Sequence, residues 1–332
     1  MRKEWLARLI VIVLGLAALA IPLWGRWARP QGIALHGRLA ESGGWAPDSL
    51  TVEAGQPLHL RLTSDDVMHS FAIGKSDRPP VDVIPGKITE LTLVFDESGK
   101  YTYYCTRWCG LNHWRMRGTI EVTGAESPVE VAEPPLYTAL GLDIDAVHQA
   151  EVIPGQRPSA WRGSQLGVDL PKAYQSREFY LSYSPEELWS SLRGESSLSR
   201  FNDQELWDLV ALTWGSQSTH QDLQEGKALY STNCAACHGE AGAGDGVFAD
   251  ALEQPMIDGH ADMQSGEMTT RPADFTDPLQ MLSASPAHLQ GKIVRGGMGT
   301  GMPYWGPIFT DEQTWAIVAY LFTFQFDLED RP

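Results

Sequence analysis

The chain has 332 residues and a formal net charge of −17, which argues against nucleic-acid binding because that function requires a basic surface. Its length predicts two or three domains of about 100–200 residues each. The charge is uneven, since residues 1–124 carry 14 Lys/Arg and 12 Asp/Glu, whereas residues 125–332 carry 11 and 30. The acidic C-terminal portion either serves solubility or attracts a basic partner, because a surface of one sign raises encounter rates.

The first predicted element is a membrane anchor over residues 1–30. An uninterrupted apolar run extends from Leu9 to Trp24, slightly shorter than the ~20 residues that a ~30 Å hydrocarbon core requires. Arg8 can snorkel at one end, and Trp24 suits the membrane interface at the other. The competing interpretation is a cleaved signal peptide, because Ala18-Leu19-Ala20 resembles a cleavage site. Under both interpretations the rest of the chain is exported.

Residues 31–124 have the pattern of an all-β domain. Short segments rich in β-branched and aromatic residues are separated by clusters of Gly, Pro, Asp and Ser. The predicted strands are Leu50–Val52, Leu58–Leu62, Ile88–Phe95, Tyr101–Tyr104 and Thr119–Val122. Several short strands at this spacing predict a β-sandwich.

Sulfur and imidazole donors are concentrated at the end of this domain. A single loop contains Cys105, Cys109, His113 and Met116, and His69 lies upstream. Thiolate, thioether and imidazole ligands together select copper. Two thiolates could bridge two copper ions, with one histidine on each and with Met116 and a loop carbonyl completing the shells. A Cys2His2 zinc site and a disulfide between the two cysteines are the alternatives, but neither explains Met116.

This domain resembles the copper A domain of cytochrome c oxidase subunit II, which is a cupredoxin sandwich. The resemblance rests on Ser64–Phe71, Asp82–Lys87 and the Cys-x3-Cys-x3-His-x2-Met loop. It implies a binuclear copper A centre with the ligands His69, Cys105, Cys109, His113, Met116 and the backbone carbonyl of Arg107. The family usually has Glu in place of Arg107, but only the carbonyl is needed. The common family form also has two membrane helices, whereas this chain has one. Trp108, in the same loop, either packs over the site or lies on the electron path.

Residues 222–332 carry a second redox motif. Cys234-Ala-Ala-Cys237-His238 is the attachment signature of haem c. Asp222–Asn233 is predicted to form a helix that leads into the motif, and Asp311–Phe324 is predicted to form a closing amphipathic helix. Over residues 222–327 the pattern resembles class I cytochromes c, which implies an all-α domain with one covalently bound haem c.

The haem ligands follow from the motif and from this resemblance. Cys234 and Cys237 form thioethers with the haem, and His238 is the proximal iron ligand. Met302, which is followed by Pro, is the predicted second axial ligand, with Met298 and His260 as alternatives. A His/Met pair raises the haem potential.

The copper loop also resembles the copper A domain of nitrous oxide reductase, whose catalytic copper–sulfide cluster is held by seven histidines. The chain has nine histidines. Two are assigned to copper A and one to haem, so too few remain to build that cluster.

Residues 125–221 match neither motif. Residues 125–171 are rich in Pro, Gly, Glu and Ala and are predicted to be an extended linker. Within residues 172–221, Ser184-Pro185-x2-Leu188 and Phe201-Asn-Asp203-x3-Trp207 recur later as Ser285-Pro286-x2-Leu289 and Phe309-Thr-Asp311-x3-Trp315. The hypothesis is a partial internal repeat that forms a haem-less cytochrome-like segment. The alternative is ordinary amphipathic patterning.

Together these features predict the subunit through which electrons enter a membrane haem–copper respiratory enzyme. A periplasmic donor, a basic cytochrome c or a similar protein, would reduce haem c, and copper A would pass the electron to a catalytic membrane subunit. No substrate-reducing site is expected on this chain. The expected enzyme is cytochrome c oxidase; a copper A nitric oxide reductase and a stand-alone membrane-anchored carrier are the alternatives. Because both cofactors are installed outside the cytoplasmic membrane, the C-terminal domains are expected on the periplasmic side of a bacterial inner membrane.

Overall fold

The computed structural model describes residues 32–110, 112–124, 134–252, 271–297 and 301–328, together with Trp5 and Gly15. Apart from those two residues, the predicted membrane anchor lies outside the described part of the chain. Across the described residues, no helix is both long enough and apolar enough to cross a membrane.

Nine strands form the predicted β-sandwich. They are β1 (Ile33–Gly37), β2 (Trp45–Ala46), β3 (Ser49–Glu53), β4 (Leu58–Ser64), β5 (His69–Ile73), β6 (Val81–Val83), β7 (Thr89–Leu93), β8 (Gly99–Tyr104) and β9 (Arg117–Thr123). One sheet has the order β2-β1-β4-β7 and the other has the order β3-β9-β8-β5-β6. The pairs β1–β4 and β3–β9 are parallel, and the remaining pairs are antiparallel.

Alternation along the strands builds the core of the sandwich. In β4, Leu58, Leu60 and Leu62 are buried while His59 between them is exposed, because successive side chains point to opposite faces. The opposite sheet contributes Phe71, Tyr103, Ile120 and Val122 to the same core.

The sequence predicts the five strands in which polar and apolar residues alternate or several apolar residues follow one another. It does not predict β1, β2, β5 and β6. Every residue of β5 is buried, so its sequence has no alternation, and a short apolar run alone does not distinguish a strand from a buried helix. β2 and β6 have only two and three residues.

The C-terminal part of the chain is helical, as predicted. Its helices are α1 (Leu136–Ala139), α2 (Ala160–Gln165), α3 (Arg177–Ser182), α4 (Pro185–Gly194), α5 (Asp203–Gly215), α6 (His220–Asn233), α7 (Ala235–His238), α8 (Ala249–Leu252), α9 (Pro278–Met281), α10 (Pro286–Arg295) and α11 (Asp311–Leu321). The two helices predicted around the haem motif are confirmed as α6 and α11. One continuous hydrophobic core joins α4 and α5 to the helices of the haem motif.

The linker predicted over residues 125–171 differs from expectation over its described part, residues 134–171. This segment contains α1 and α2, and Ile144, Ala150 and Leu170 are buried. Its backbone is also tied to the helices, since the Ala150 N–H donates to the Leu279 carbonyl at 2.8 Å. The apolar residues are too irregularly spaced to give a periodic signal, but they fill gaps on the helical core.

Two helix pairs cross in the same way. At Gly163 of α2, a Cβ atom would lie 2.2 Å from the Asp208 carbonyl oxygen in α5; at Gly226 of α6, it would lie 2.0 Å from the Ala316 carbonyl oxygen in α11. Asp208 and Ala316 are both the sixth residue of their helices. Only glycine permits so close an approach of two backbones.

The two copies of the predicted internal repeat also correspond in the segments that follow these glycines. A 3-10 turn, Lys172–Gln175, begins nine residues after Gly163, just as α7 begins nine residues after Gly226. Ser184 and Ser285 cap α4 and α10, and each is followed by proline at the first helical position. Helices are therefore present at both places where the internal repeat requires them.

Candidate metal and haem centres

The sulfur-rich loop connects β8 to β9, and β5 supplies His69 beside it. β5 pairs with β8 in the same sheet, with Ala72 opposite Tyr104. The sheet therefore brings His69 next to a loop that follows it by more than thirty residues in the chain.

The predicted copper donors converge in this loop. The Cys105 Sγ and Cys109 Sγ atoms are 3.9 Å apart, and Cys109 Sγ lies 3.4 Å from Met116 Sδ. The carbonyl oxygen of Arg107 lies 3.4 Å from Cys105 Sγ. The ligand atoms of His69, Cys105 and Cys109 all lie within 4.8 Å of one another. Both cysteines are free thiols, so the alternative of a disulfide is not formed.

Three of the four ring nitrogens of His69 and His113 are buried and have no hydrogen-bond partner in the described part of the chain. His69 and His113 are 0% and 2% exposed. His69 Nδ1 and both ring nitrogens of His113 are buried without a hydrogen bond among the described residues. A buried polar atom left unpaired is costly unless a ligand or ion satisfies it. The donor set therefore fits a soft transition metal such as copper.

The thiol of Cys105 lies 3.9 Å from that of Cys109 and close to both imidazoles. Its interaction with the Cys109 thiol is the largest cause that holds the pKa of Cys105 well below its usual range; His113 and His69 act in the same direction, and burial opposes them. A thiolate is the form that binds a metal.

Two further residues, Asp66 and Trp45, support the ligands. The Asp66 carboxylate accepts a hydrogen bond from His69 Nε2 at 2.7 Å, which leaves Nδ1 for a metal. Trp45 Nε1 donates to the Met116 carbonyl at 3.1 Å. Asp66 lies inside the stretch Ser64–Phe71 and could have been found there, whereas no sequence pattern marks Trp45.

The haem motif lies at the junction of α6 and α7. Cys234 ends α6, and α7 carries Cys237 and His238 on a single turn. Both thiols are unpaired. His238 Nδ1 donates to the Ala273 carbonyl at 3.0 Å, which leaves Nε2 free for an iron. The arrangement fits covalent attachment of a haem with His238 as an axial ligand.

The predicted axial methionine lies in the loop between α10 and α11. Met302 packs against the helical core, and its carbonyl accepts a hydrogen bond from the Gly297 N–H at 3.0 Å. The two alternatives, Met298 and His260, lie outside the described residues.

The copper-loop domain and the haem domain are in direct contact. Trp108 of the copper loop has its ring centroid 5.7 Å from that of Phe248, which follows the haem motif. Arg117 Nη1 donates to the Tyr304 carbonyl at 2.7 Å, and the Lys75 N–H donates to the Ile308 carbonyl at 2.7 Å. A cleft of about 450 Å³ separates Thr106 and Arg107 from Thr232 of α6.

Comparisons with known proteins agree with this architecture. Residues 46–123 match the profile of the cytochrome c oxidase subunit II periplasmic domain, and residues 223–325 match that of cytochrome c. A cytochrome c oxidase subunit 2 of Thermus thermophilus is 33% identical over 106 residues, which cover 30% of this chain and 78% of that protein. A second subunit 2 from Thermus thermophilus is also 33% identical over 106 residues, with 62% of its length covered.

A solved structure is also similar. The periplasmic domain of subunit II of cytochrome oxidase of Bradyrhizobium japonicum aligns with 28% of this chain and 86% of its own, at 20% identity and a TM-score of 0.25.

The fold and the donor sets define a cupredoxin-like sandwich joined to a cytochrome c domain. The chain belongs to the cytochrome c oxidase subunit 2 family, and it combines the periplasmic domain of that family with a cytochrome c domain.

Proposed function

We propose that this protein is the subunit through which electrons enter a membrane haem–copper oxidase. Electrons from a periplasmic donor pass through haem c and copper A to a catalytic membrane subunit, which reduces oxygen. The chain is anchored by residues 1–30, with its C-terminal domains on the periplasmic side. The observation that carries the proposal is the convergence of copper-type donors in one domain, which packs through Trp108 against Phe248 of the domain that contains the haem-attachment motif.

The proposed copper A ligands are His69, Cys105, Cys109, His113, Met116 and the carbonyl of Arg107. Two features support a pair of copper ions. Ring nitrogens of two histidines, His69 and His113, are buried without a hydrogen bond among the described residues, and the sulfurs of Cys105 and Cys109 lie 3.9 Å apart. A copper pair spreads the charge of one electron over two ions, which suits rapid transfer, and the protein contributes a buried cage that fixes the ligand positions.

The proposed haem ligands are Cys234, Cys237, His238 and Met302. The hydrogen bond from His238 Nδ1 to Ala273 supports the imidazole role, because it orients the ring and leaves Nε2 available. The haem supplies one-electron chemistry when bound, and the chain attaches it covalently so that it stays at the domain contact.

We also propose that the helices on the N-terminal side of the haem domain form a cytochrome c fold without haem. When the two copies are aligned on Gly163 and Gly226, Gln175 occupies the position of His238. Pro171 and Tyr174 then occupy the positions of Cys234 and Cys237. None of these three residues can attach a haem or serve as the histidine ligand. The matching glycine crossings at Gly163 and Gly226 support the repeat.

The full-length chain, purified in detergent, provides the test of the metal centres. We expect one covalent haem c per chain and a mixed-valence two-copper EPR signal. His69→Ala should abolish the copper signal, and His59→Ala, which changes an exposed histidine on β4, should retain it. A single-copper signal or bound zinc would contradict the binuclear site, and a second haem would contradict the haem-less repeat.

The catalytic partner is tested in the intact complex. Copurification of the chain with a haem–copper subunit that consumes oxygen is the expected result. Turnover of nitric oxide without oxygen consumption would indicate a nitric oxide reductase instead. Isolation of the chain without a partner, from gently solubilised membranes, would favour a free carrier.

A further inference from the structure

Trp108 contacts a proposed copper ligand on one side and the haem domain on the other. Its ring centroid lies 4.1 Å from that of His113, a proposed copper ligand, and 5.7 Å from that of Phe248 in the haem domain. His113 is buried, whereas Trp108 and Phe248 are half-buried at the contact. Aromatic pairs typically have ring centroids 4.5–7 Å apart. The Trp108–Phe248 pair lies within this range and the Trp108–His113 pair is slightly closer, so the three rings form a continuous row across the domain boundary.

Phe248 is fixed to the haem motif by its own backbone. Its N–H donates to the Ala236 carbonyl at 2.9 Å, inside the Cys234–His238 motif. Two residues earlier, the Gly246 N–H donates to the Cys237 carbonyl at 3.1 Å. The row of rings therefore ends on the peptide segment that carries the haem.

Other contacts hold the two domains together independently of Trp108. The Arg117 guanidinium lies 5.3 Å from the ring centroid of Tyr304 and 5.2 Å from that of Trp305. A backbone hydrogen bond joins Lys75 to Ile308, and a Cβ at Gly74 would collide with the Pro307 carbonyl. Removal of the Trp108 ring should therefore leave the domains docked.

We propose that the Trp108–Phe248 ring contact is the electron-transfer junction between the haem and copper centres. This inference rests on the proposed function. One electron leaves the ferrous haem, which is oxidised, and enters the copper pair, which is reduced by one electron; no bond changes and no proton moves. The physical reason is that electronic coupling decays more steeply across an open gap than through atoms in contact. Trp108 is thus a positioning residue for the transfer and is not a metal ligand.

The test is the rate of electron transfer between the two centres in the full-length, fully loaded protein after laser photoreduction of the haem. Trp108→Leu and Phe248→Leu should each slow the transfer by about tenfold or more, which corresponds to roughly 1.4 kcal/mol in activation free energy. Trp108→Phe should be slowed less. The double leucine variant should be no slower than the slower single variant, because both substitutions interrupt one contact.

Trp114→Leu is the matched control. Trp114 also contacts His113, at 6.2 Å between centroids, and the described residues show no ring contact between it and the haem domain. The rate of electron transfer between the two centres in Trp114→Leu should match that of the unchanged protein. The haem absorbance, the copper EPR signal and both midpoint potentials should be unchanged in every variant, so that only the coupling is altered.

Transfer within twofold of the unchanged rate in Phe248→Leu, with both centres intact, would overturn the inference. Phe248→Leu decides the matter even if Trp108→Leu loses copper, because Phe248 lies outside the copper loop. Absence of the haem or copper A signal from the unchanged protein would instead refute the proposed function.

Discussion

At the scale of single residues, Asp66 orients one of the proposed copper ligands. Its carboxylate accepts from His69 Nε2 and also from the backbone N–H groups of Leu39 and Val67. We predict that Asp66→Ala lowers copper affinity by about 10–100-fold, because loss of an outer hydrogen bond lets the imidazole rotate away from the metal. Competition with a copper chelator measures the change.

The neighbouring Asp65 provides the control for this prediction. It bonds His36 and Arg38 at the surface and not His69. Asp65→Ala should leave the copper affinity unchanged. Equal copper loss in both variants would show that the acidic pair acts through the stability of the domain and not through His69.

At the scale of elements, the crossing of α6 and α11 depends on Gly226. A Cβ there would meet the Ala316 carbonyl at 2.0 Å, which is backbone and cannot move aside. We predict that Gly226→Ala reduces the free energy of unfolding by about 3 kcal/mol, the upper range for overpacking. Denaturant unfolding of the full chain, followed by the circular dichroism of its helices, measures this change.

Gly194 is the matched glycine for that experiment. It ends α4, and a Cβ at this position would meet nothing within 4 Å. Gly194→Ala should be neutral or stabilising by up to about 1 kcal/mol, because alanine restricts the unfolded chain. If both variants lose the same stability, the close helix crossing is not the cause.

Ion pairs of Asp145 join the segment that precedes α2 to the helix α10. It accepts hydrogen bonds from Arg295 at 2.6 Å and from Lys292 at 2.8 Å, and these hold the pKa of Asp145 below its ordinary value. We predict that Asp145→Asn costs about 1 kcal/mol at neutral pH, since the pair is half exposed and screened by solvent. Thermal unfolding of both proteins measures the difference.

The pH dependence of this contribution has a defined sign. Because the folded pKa is lower than the unfolded value of about 3.9, the stabilisation is present above that pH and is lost as the pH falls below it. The thermal stabilities of Asp145→Asn and of the unchanged protein should therefore become equal at acidic pH. Burial lowers the pKa values of His148 and His288, and the Asp145 carboxylate partly raises that of His288, so the His288 titration also contributes to the difference. A constant difference down to acidic pH would contradict the ion-pair explanation.

At the scale of the whole molecule, the negative charge is concentrated beyond residue 124. If this field steers a basic donor, raising the ionic strength should slow bimolecular reduction of the haem, because salt screens charges beyond about 10 Å at 0.1 M. Stopped-flow reduction by a basic cytochrome c measures the rate. A small neutral reductant should show no such dependence, and a salt-independent rate with the basic cytochrome would remove steering from the proposal.

The sequence by itself determined the parts whose chemistry is local. Cys105, Cys109, His113 and Met116 lie within twelve residues, and Cys234, Cys237 and His238 lie within five. Such short spacing brings donors together whatever the surrounding fold. The sequence likewise indicated five strands and the helices α6 and α11, because their apolar residues recur with strand or helix spacing.

Only the tertiary structure decided how distant segments meet. The contact of Trp108 with Phe248, the support of Met116 by Trp45 and the packing of residues 134–171 join residues far apart in the chain. Local propensity does not predict such contacts, because they arise when complementary surfaces of the formed elements are buried against each other. The glycine crossing at Gly163 is the same kind of feature: its partner in α5 lies more than forty residues later, and only the folded backbone shows how closely the two helices approach.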